Sequence, residues 1–436
     1  MNGSTPPGCG GVPVVSLKAS CTVDPLNAGT YTFTATYNGD SDYTATETQI
    51  TGYTVGQGTP TVTLSADPAS GATVGTPVSL SATVAGPQGA PAVTGTISFT
   101  ADGATVPGCG SVTVTAGTAT CAAGTLPAGS HSFEADYSGD TNYLAASGTL
   151  SGYDVAKATP GVSLSATPSA NANVDSQISL SATVQAVNGG PAPTGTVTFL
   201  ANGAAVAGCS NVSLTGGAAS CPVGQLPAGT YIFEADYSGD ASYLTASGTV
   251  TDYTVTKVPA DVAVTSDVAA PVWGQPVTFT ATVTAEGKPV SSGTVQWSVN
   301  GSPVPVGADG KASLGPLTTL AVGTDKITAG YSGTDRIAAA SGTDSIVVAK
   351  ADTTTKLTII GRTLLIATVK PVAPGAGRPA GTVTFTLGGR TLGTTTLSAS
   401  GTAIININPT ERGVISANYG GDAHFKGSSG SATLSG

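Results

Sequence analysis

Short runs of alternating apolar and polar residues recur along the whole chain. One stretch of a hundred residues holds Val62-Thr-Leu64-Ser-Ala66, Val78-Ser-Leu80-Ser-Ala82-Thr-Val84, Thr96-Ile97-Ser-Phe99 and Phe133-Glu-Ala135-Asp-Tyr137. A period of two sends successive side chains to opposite faces, so each run predicts a strand with one buried face. Clusters of Gly, Pro, Asn and Asp separate the runs at the roughly 8–12-residue spacing of an all-β sandwich or barrel. No stretch shows helical periodicity, and β-branched Thr and Val abound where a helix would want unbranched side chains.

The pattern is itself repeated. Tyr37-Asn-Gly-Asp-Ser-Asp-Tyr43 returns 100 residues later as Tyr137-Ser-Gly-Asp-Thr-Asn-Tyr143, and again as Tyr237-Ser-Gly-Asp-Ala-Ser-Tyr243. Weaker copies are Tyr331-Ser-Gly-Thr and Tyr419-Gly-Gly-Asp-Ala-His-Phe425. A second recurring tract marks boundaries: Tyr53-Thr-Val before Gln57, Tyr153-Asp-Val before Lys157, Tyr253-Thr-Val before Lys257, and Val347-Val-Ala before Lys350. The predicted domains are 57–156, 157–256, 257–349 and 350–436, preceded by 1–56, which matches only the later part of a unit. The last unit stops at Gly436, before the closing Tyr-x-Val tract. Both ends therefore read as cuts inside a domain. Seven or so short strands in about 90–100 residues is the count of an immunoglobulin-like sandwich. The fold class expected is all-β, a tandem array of such sandwiches joined into a rod by short, partly proline-stiffened connectors.

Cysteines occur as Cys9/Cys21, Cys109/Cys121 and Cys209/Cys221. Each pair brackets an expected hairpin, with a turn at Ala116-Gly117 in the second, and a hairpin would bring the two ends within bridging distance. Six cysteines allow 15 connectivities, so pairing between units stays open on counting alone. The later units favour pairing within a unit, because both cysteines vanish together: Leu314 and Ile405 replace the second, and Ser302 and Gly393 stand near the first. Bridges of this kind place the protein outside the reducing cytosol. One large aromatic per unit, Phe99, Phe199, Trp297 or Phe385, falls at a core phase of its strand.

Only 9% of residues are charged, with two histidines and one methionine, which leaves few groups for acid–base or metal chemistry. A net charge of −10 disfavours nucleic acid or an anionic membrane as partner. No apolar run reaches membrane-spanning length, and no basic n-region with an apolar h-region opens the chain, so any export signal lies outside it. Asp40, Asp140, Asp240 and Asp422 recur in the Tyr-x-Gly-Asp tract, with Glu134, Asp136, Glu234 and Asp236 on the preceding strands. Clustered carboxylates could ligate calcium; the competing and favoured reading is a turn whose carboxylate accepts backbone N–H groups. Thr334 replaces this Asp in the fourth unit without evident compensation. His131 stands where other units carry Tyr31 and Tyr231, His424 is in a loop, and neither adjoins a nucleophile. No catalytic or cofactor residues are assigned. Asn2, Asn211 and Asn300 match glycosylation sequons, read here as chance.

The motif Pro-x-Val-x-Leu-Ser-Ala, Ser-Ala-Thr-Val, Thr-Gly-Thr-Val-x-Phe, Cys…Cys, Leu-Pro-Ala-Gly and Tyr-Ser-Gly-Asp-x-x-Tyr, strongest in 57–256, resembles bacterial Ig-like tandem-repeat domains. That resemblance implies an extracellular, non-catalytic surface or secreted array acting as stalk or spacer. Two alternatives are carried. An adhesin or glycan-binding module, taking a glycan or protein receptor, would use the fourth unit with Trp273 and Trp297. A filament or virion subunit would self-associate through residues 1–56, whose strands lack an opposing sheet and would fray or be completed by another chain.

Overall fold

A computed structural model of the chain describes residues 1–299, 301–408, 410 and 412–435, and every regular element among them is a strand. Asn300 of the third sequon and the terminal Gly436 lie outside the described residues. The chain forms two compact units. One comprises Met1–Ala170, Gln177–Gly224 and Tyr231–Tyr253; the other comprises Asn171–Ser176, Gln225–Thr230 and residues from 254 onward.

The first unit opens with an antiparallel hairpin, β1 (Gly29–Tyr37) and β2 (Thr46–Val55), which stands alone as a two-stranded sheet. A two-layer sandwich follows. Its first sheet orders β3 (Thr61–Asp67), β5 (Pro77–Ala85) and β9 (Thr118–Thr125) as β3-β5-β9. Its second sheet uses β4 (Ala72–Thr73), β6 (Thr96–Ala101), β7 (Ala104–Thr105), β8 (Val112–Thr113), β10 (Gly129–Tyr137) and β11 (Ala146–Ala156). The order is β4-β11-β10-β6-β7, with β8 also on β6 and β4 parallel to β11. The alternating pattern becomes a core of Leu80, Ile97, Phe99, Phe133, Ala135 and Tyr137, none more than 2% exposed. Such near-complete burial of large side chains is what holds two sheets face to face. The next repeat has the same three-stranded sheet, Gly161–Thr167, Ile178–Gln185 and Ala218–Gly224, and buries Leu180, Val197, Phe199 and Phe233.

The second unit contains two more sandwiches. In one, Ala260–Ser266, Val277–Ala285 and Lys311–Leu317 face a sheet containing Thr294–Trp297, Gly323–Tyr331 and Ala340–Val348. In the other, Thr353–Ile360, Leu364–Pro371 and Thr402–Asn406 face Thr382–Leu387, Arg390–Thr396, Gly413–Tyr419 and Ser428–Leu434.

One close approach recurs in all four sandwiches. A Cβ at Gly248 would stand 2.6 Å from the Val162 carbonyl oxygen. The space is tighter still at Gly148 against Val62, Gly342 against Val262 and Gly430 against Thr355. Glycine is there because the first strand of the sandwich lies where a side chain would be.

The sandwich of the fourth repeat bears out the core phase expected of Trp297 and leaves the alternative of an exposed ligand platform there without support. Trp297 is 2% exposed inside a core with Phe279, Val295 and Tyr331, and its Nε1–H has no partner among the described residues. Replacing it with the phenylalanine of the other repeats removes an unpaired donor while shrinking the side chain, two effects of opposite sign. Trp297→Phe is expected to change stability by under about 1 kcal/mol, and Trp297→Ala to cost about 3–5 kcal/mol. Native-state hydrogen exchange at residues 327–331 measures both.

Candidate functional site

The repeated Tyr-x-Gly-Asp loops are the strongest candidate, and their carboxylates are already engaged. Asp140 Oδ1 accepts the N–H groups of Asn142 (2.7 Å) and Tyr143 (2.9 Å), while Oδ2 accepts Thr94 N–H (2.8 Å) and Thr94 Oγ1–H (2.7 Å). Asp240 repeats this with Ser242, Tyr243 and Thr194. Asp422 accepts from His424, Phe425 and Ala380, and Asp40 from Asp42, Tyr43 and the Tyr37 hydroxyl. Burial alone would push Asp140 up, but the donors of Thr94 and Asn142 outweigh it and hold the carboxyl at about 2. Such a carboxylate is a built-in turn cap that ties the loop after one strand to the loop before another. Among the described residues, no three His, Cys, Asp or Glu are gathered so as to hold a metal ion.

Two features of these loops escaped the sequence reading. Thr334 is compensated after all: its Oγ1 accepts the Ile337 N–H at 3.0 Å, doing with a hydroxyl what aspartate does elsewhere. Each loop also takes a donor from the first residue of its own sandwich. Lys157, Lys257 and Lys350 donate from Nζ to the carbonyls of Asp240, Thr334 and Asp422, and Gln57 Nε2 donates to Asp140 O at 2.6 Å. The recurring Lys after the Tyr-x-Val tract was the available signal.

The bridges are Cys9–Cys21, Cys109–Cys121 and Cys209–Cys221, with Cα separations of 5.3, 5.9 and 5.6 Å. Thr115 and Thr118 exchange hydrogen bonds across Ala116-Gly117 as the expected hairpin requires, but beyond this tip the two strands part into different sheets. Cys109 follows the turn at Val106, and its carbonyl accepts the Phe99 N–H, whereas Cys121 pairs with Leu80 in the opposite sheet. The chain changes sheets at Ala116-Gly117, both with positive φ, so the bridge joins the two layers. Where cysteine is absent, the fifth repeat packs Ile405 against Gly393, a Cβ on which would lie 3.2 Å from Ile405 Cδ1.

His131 is buried, and both its ring nitrogens face acceptors: Nδ1 meets Asp102 Oδ2 at 2.7 Å and Nε2 meets Pro127 O at 3.0 Å. Only the imidazolium donates from both positions. Its cross-strand partner Tyr153 is occupied elsewhere, donating to Pro68 O at 2.9 Å. Trp273, the second residue proposed as a glycan platform, is also committed. Its ring stacks on His424 at 4.3 Å and meets Phe425 edge-on at 5.1 Å.

Recurring two-sheet sandwiches, with their repeated polar residues turned inward on their own backbone, define a tandem-repeat protein of immunoglobulin-like modules. The chain belongs to the bacterial Ig-like domain family (group 3), which it matches over residues 64–156, 164–256, 264–350 and 349–435. No curated protein is recognisably similar in sequence. Among solved structures, it is similar to a Ca2+-stabilised adhesin that helps an Antarctic bacterium reach out and bind ice. That match has 21% identity, covers 86% of this chain and 98% of that one, and has a TM-score of 0.27. It is also similar to a tetra-tandem repeat in the extending region of a large adhesion protein, at 20% identity, with the same coverages and a TM-score of 0.33. No helix among the described residues is long and apolar enough to cross a membrane.

Two outcomes are expected. Because each loop carboxylate is saturated by protein donors, neither chelator nor millimolar calcium should shift the melting temperature. A calcium-dependent gain of several degrees would contradict this. For His131, burial pulls the pKa down, but the bonds to Asp102 and Pro127 prevail and leave it above its ordinary 6.5. A group raised in the folded state stabilises fully below its unfolded pKa and loses that contribution as pH rises through the folded value. Protection of residues 131–137 against hydrogen exchange should therefore fall as pH rises above about 6.5. His131→Tyr, the residue of the neighbouring repeats, should remove the dependence.

Proposed function

We propose that this chain is a non-catalytic extracellular spacer, a run of immunoglobulin-like modules that sets a distance at a bacterial surface or within a secreted protein. The modules are taken as 57–156, 157–256, 257–349 and 350–436, with 1–56 as the later part of another. One observation carries the reading: the loop aspartates, module-start lysines and core aromatics that recur from repeat to repeat are used up inside their own modules. The aspartates cap their own turns, the lysines at the module starts hold the same loops, and Trp297 fills a core. What selection has repeated is therefore a folded building block, not a binding surface. The three disulfides support an oxidising compartment, and the acidic balance suits a surface array that repels nucleic acid.

Small-angle scattering of the full chain in metal-free buffer tests the proposal. A compact globule of this length has a radius of gyration of about 22 Å, and a spacer should give roughly twice that. A value near the compact figure would reject the spacer.

A further inference from the structure

An exposed apolar face belongs to the β1–β2 hairpin. Tyr53 is 51% exposed, against 4% for the equivalent Tyr153 in the core of the next repeat, and Ile50, opposite Phe33, is 63% exposed. Phe33, Ala35 and Tyr37 are at most half-buried, whereas Phe133, Ala135 and Tyr137 are at most 2% exposed. Among the described residues, no strand lies across this face or pairs with the free edge of β1.

The register at that edge is already set. Asn2 N–H donates to Thr32 O at 2.9 Å, and Asn2 Oδ1 accepts the Thr32 N–H at 2.8 Å. Asp102 makes the same two bonds with Ser132, at 2.8 and 2.9 Å, immediately after β6 ends at Ala101 beside Phe133. Met1 thus holds the place of the last residue of β6. The contact with the following module is half-built in the same sense. Pro25 approaches Gly89, and Ala28 N–H donates to Asn142 Oδ1 at 3.0 Å. At the next junction Thr125 Oγ1 donates to Gly189 O, and Val74 and Gly75 also pack against Gly190 and Val187. The contribution of the earlier half of a module, seen in Val74 and Gly75, has no counterpart beside the hairpin among the described residues.

We propose that the open face of residues 29–55 accepts a half-sandwich of the pattern of residues 57–101, joined in line with Met1, and that Thr48 sets how closely its first strand seats. Thr48 stands opposite Ala35, where the next repeat has Gly148 opposite Ala135. In each of the four sandwiches the corresponding glycine leaves no room for a Cβ against the first strand. A threonine holds that strand away, so this junction between halves is looser than the others.

The test appends a copy of residues 57–100 directly before Met1 of the full chain and follows hydrogen exchange at residues 31–37. In the parent chain these residues should exchange far faster than 131–137; equal protection in a dilute monomer overturns the proposal. The appended half should slow their exchange by roughly a hundredfold, and Thr48→Gly in that chain should slow it further. A scrambled copy of the same 44 residues should leave the parent rate. If neither the appended chain nor its T48G form differs from the scrambled control, the face is not an acceptor for this half. If T48G adds nothing to a working fusion, Thr48 does not set the fit.

Discussion

Phe133, Ala135 and Tyr137 alternate with polar residues along one strand, and their burial requires a second sheet about 10 Å away. Every other feature of the modules serves that pairing of two half-apolar sheets. Cys109–Cys121 and Cys209–Cys221 tie one layer to the other at a point where the chain crosses between them. The Asp140 carboxylate ties the loop after β10 to Thr94, just before β6, within the same sheet. Gly148 lets β3 close down on β11 at the rim. The β1–β2 hairpin shows the pairing by its absence: it has the same inward residues, the same turn cap and a bridge, and still leaves Tyr53 half in solvent. Local devices hold a shape, but burial between two layers is the term large enough to define one.

The electrostatics follow the same economy. Few charges are present, and the recurring loop aspartates and module-start lysines bond backbone groups at loop corners. Lys157, Lys257 and Lys350 donate to carbonyls, not carboxylates, so each gains a bond to the main chain of its own module. His131 in one repeat and Tyr31 in another point the same way: the position supplies a donor for the loop carbonyl, and different side chains meet it. Tyr31 donates to Asn27 O at 2.7 Å as His131 meets Pro127 O.

The architecture was legible because its signals are periodic. Alternation marks strands, the 100-residue offset marks repeats, and the paired loss of two cysteines marks a bridge. The geometry of the bridge was not legible: Ala116-Gly117 makes the expected hairpin turn, but the strands beyond it part into different sheets, as Cys109 beside Phe99 and Cys121 beside Leu80 reveal. Thr334 was misread because a hydroxyl and a carboxylate look unlike as residues but accept the same N–H. Trp297 lies in the core as its strand phase predicts, whereas the packing of Trp273 was not legible, because sequence shows that an aromatic departs from its neighbours, not whether it faces outward. The open hairpin face was legible from the mismatch in length between 1–56 and the later repeats, whereas the importance of Thr48 needed the Gly148–Val62 approach to be seen.

The repeats diverge most where one meets the next. Three equivalent turns touch the following module, and each does so with different chemistry. Val74-Gly75 packs on Val187 and Gly190; Asp175 forms a bidentate ion pair with Arg336, with Glu286 3.8 Å away; Trp273 covers His424 and Phe425. A partly exposed pair such as Asp175–Arg336 is screened by solvent and holds its junction less firmly than an indole packed against two aromatic rings. Cores built from interchangeable Phe, Ala and Tyr positions would let any module follow any other. The contact turns differ from one junction to the next, because the side chain at each meets a different set of residues in the module that follows. Order along the chain is thus written at the contacts, while the fold is written in the cores.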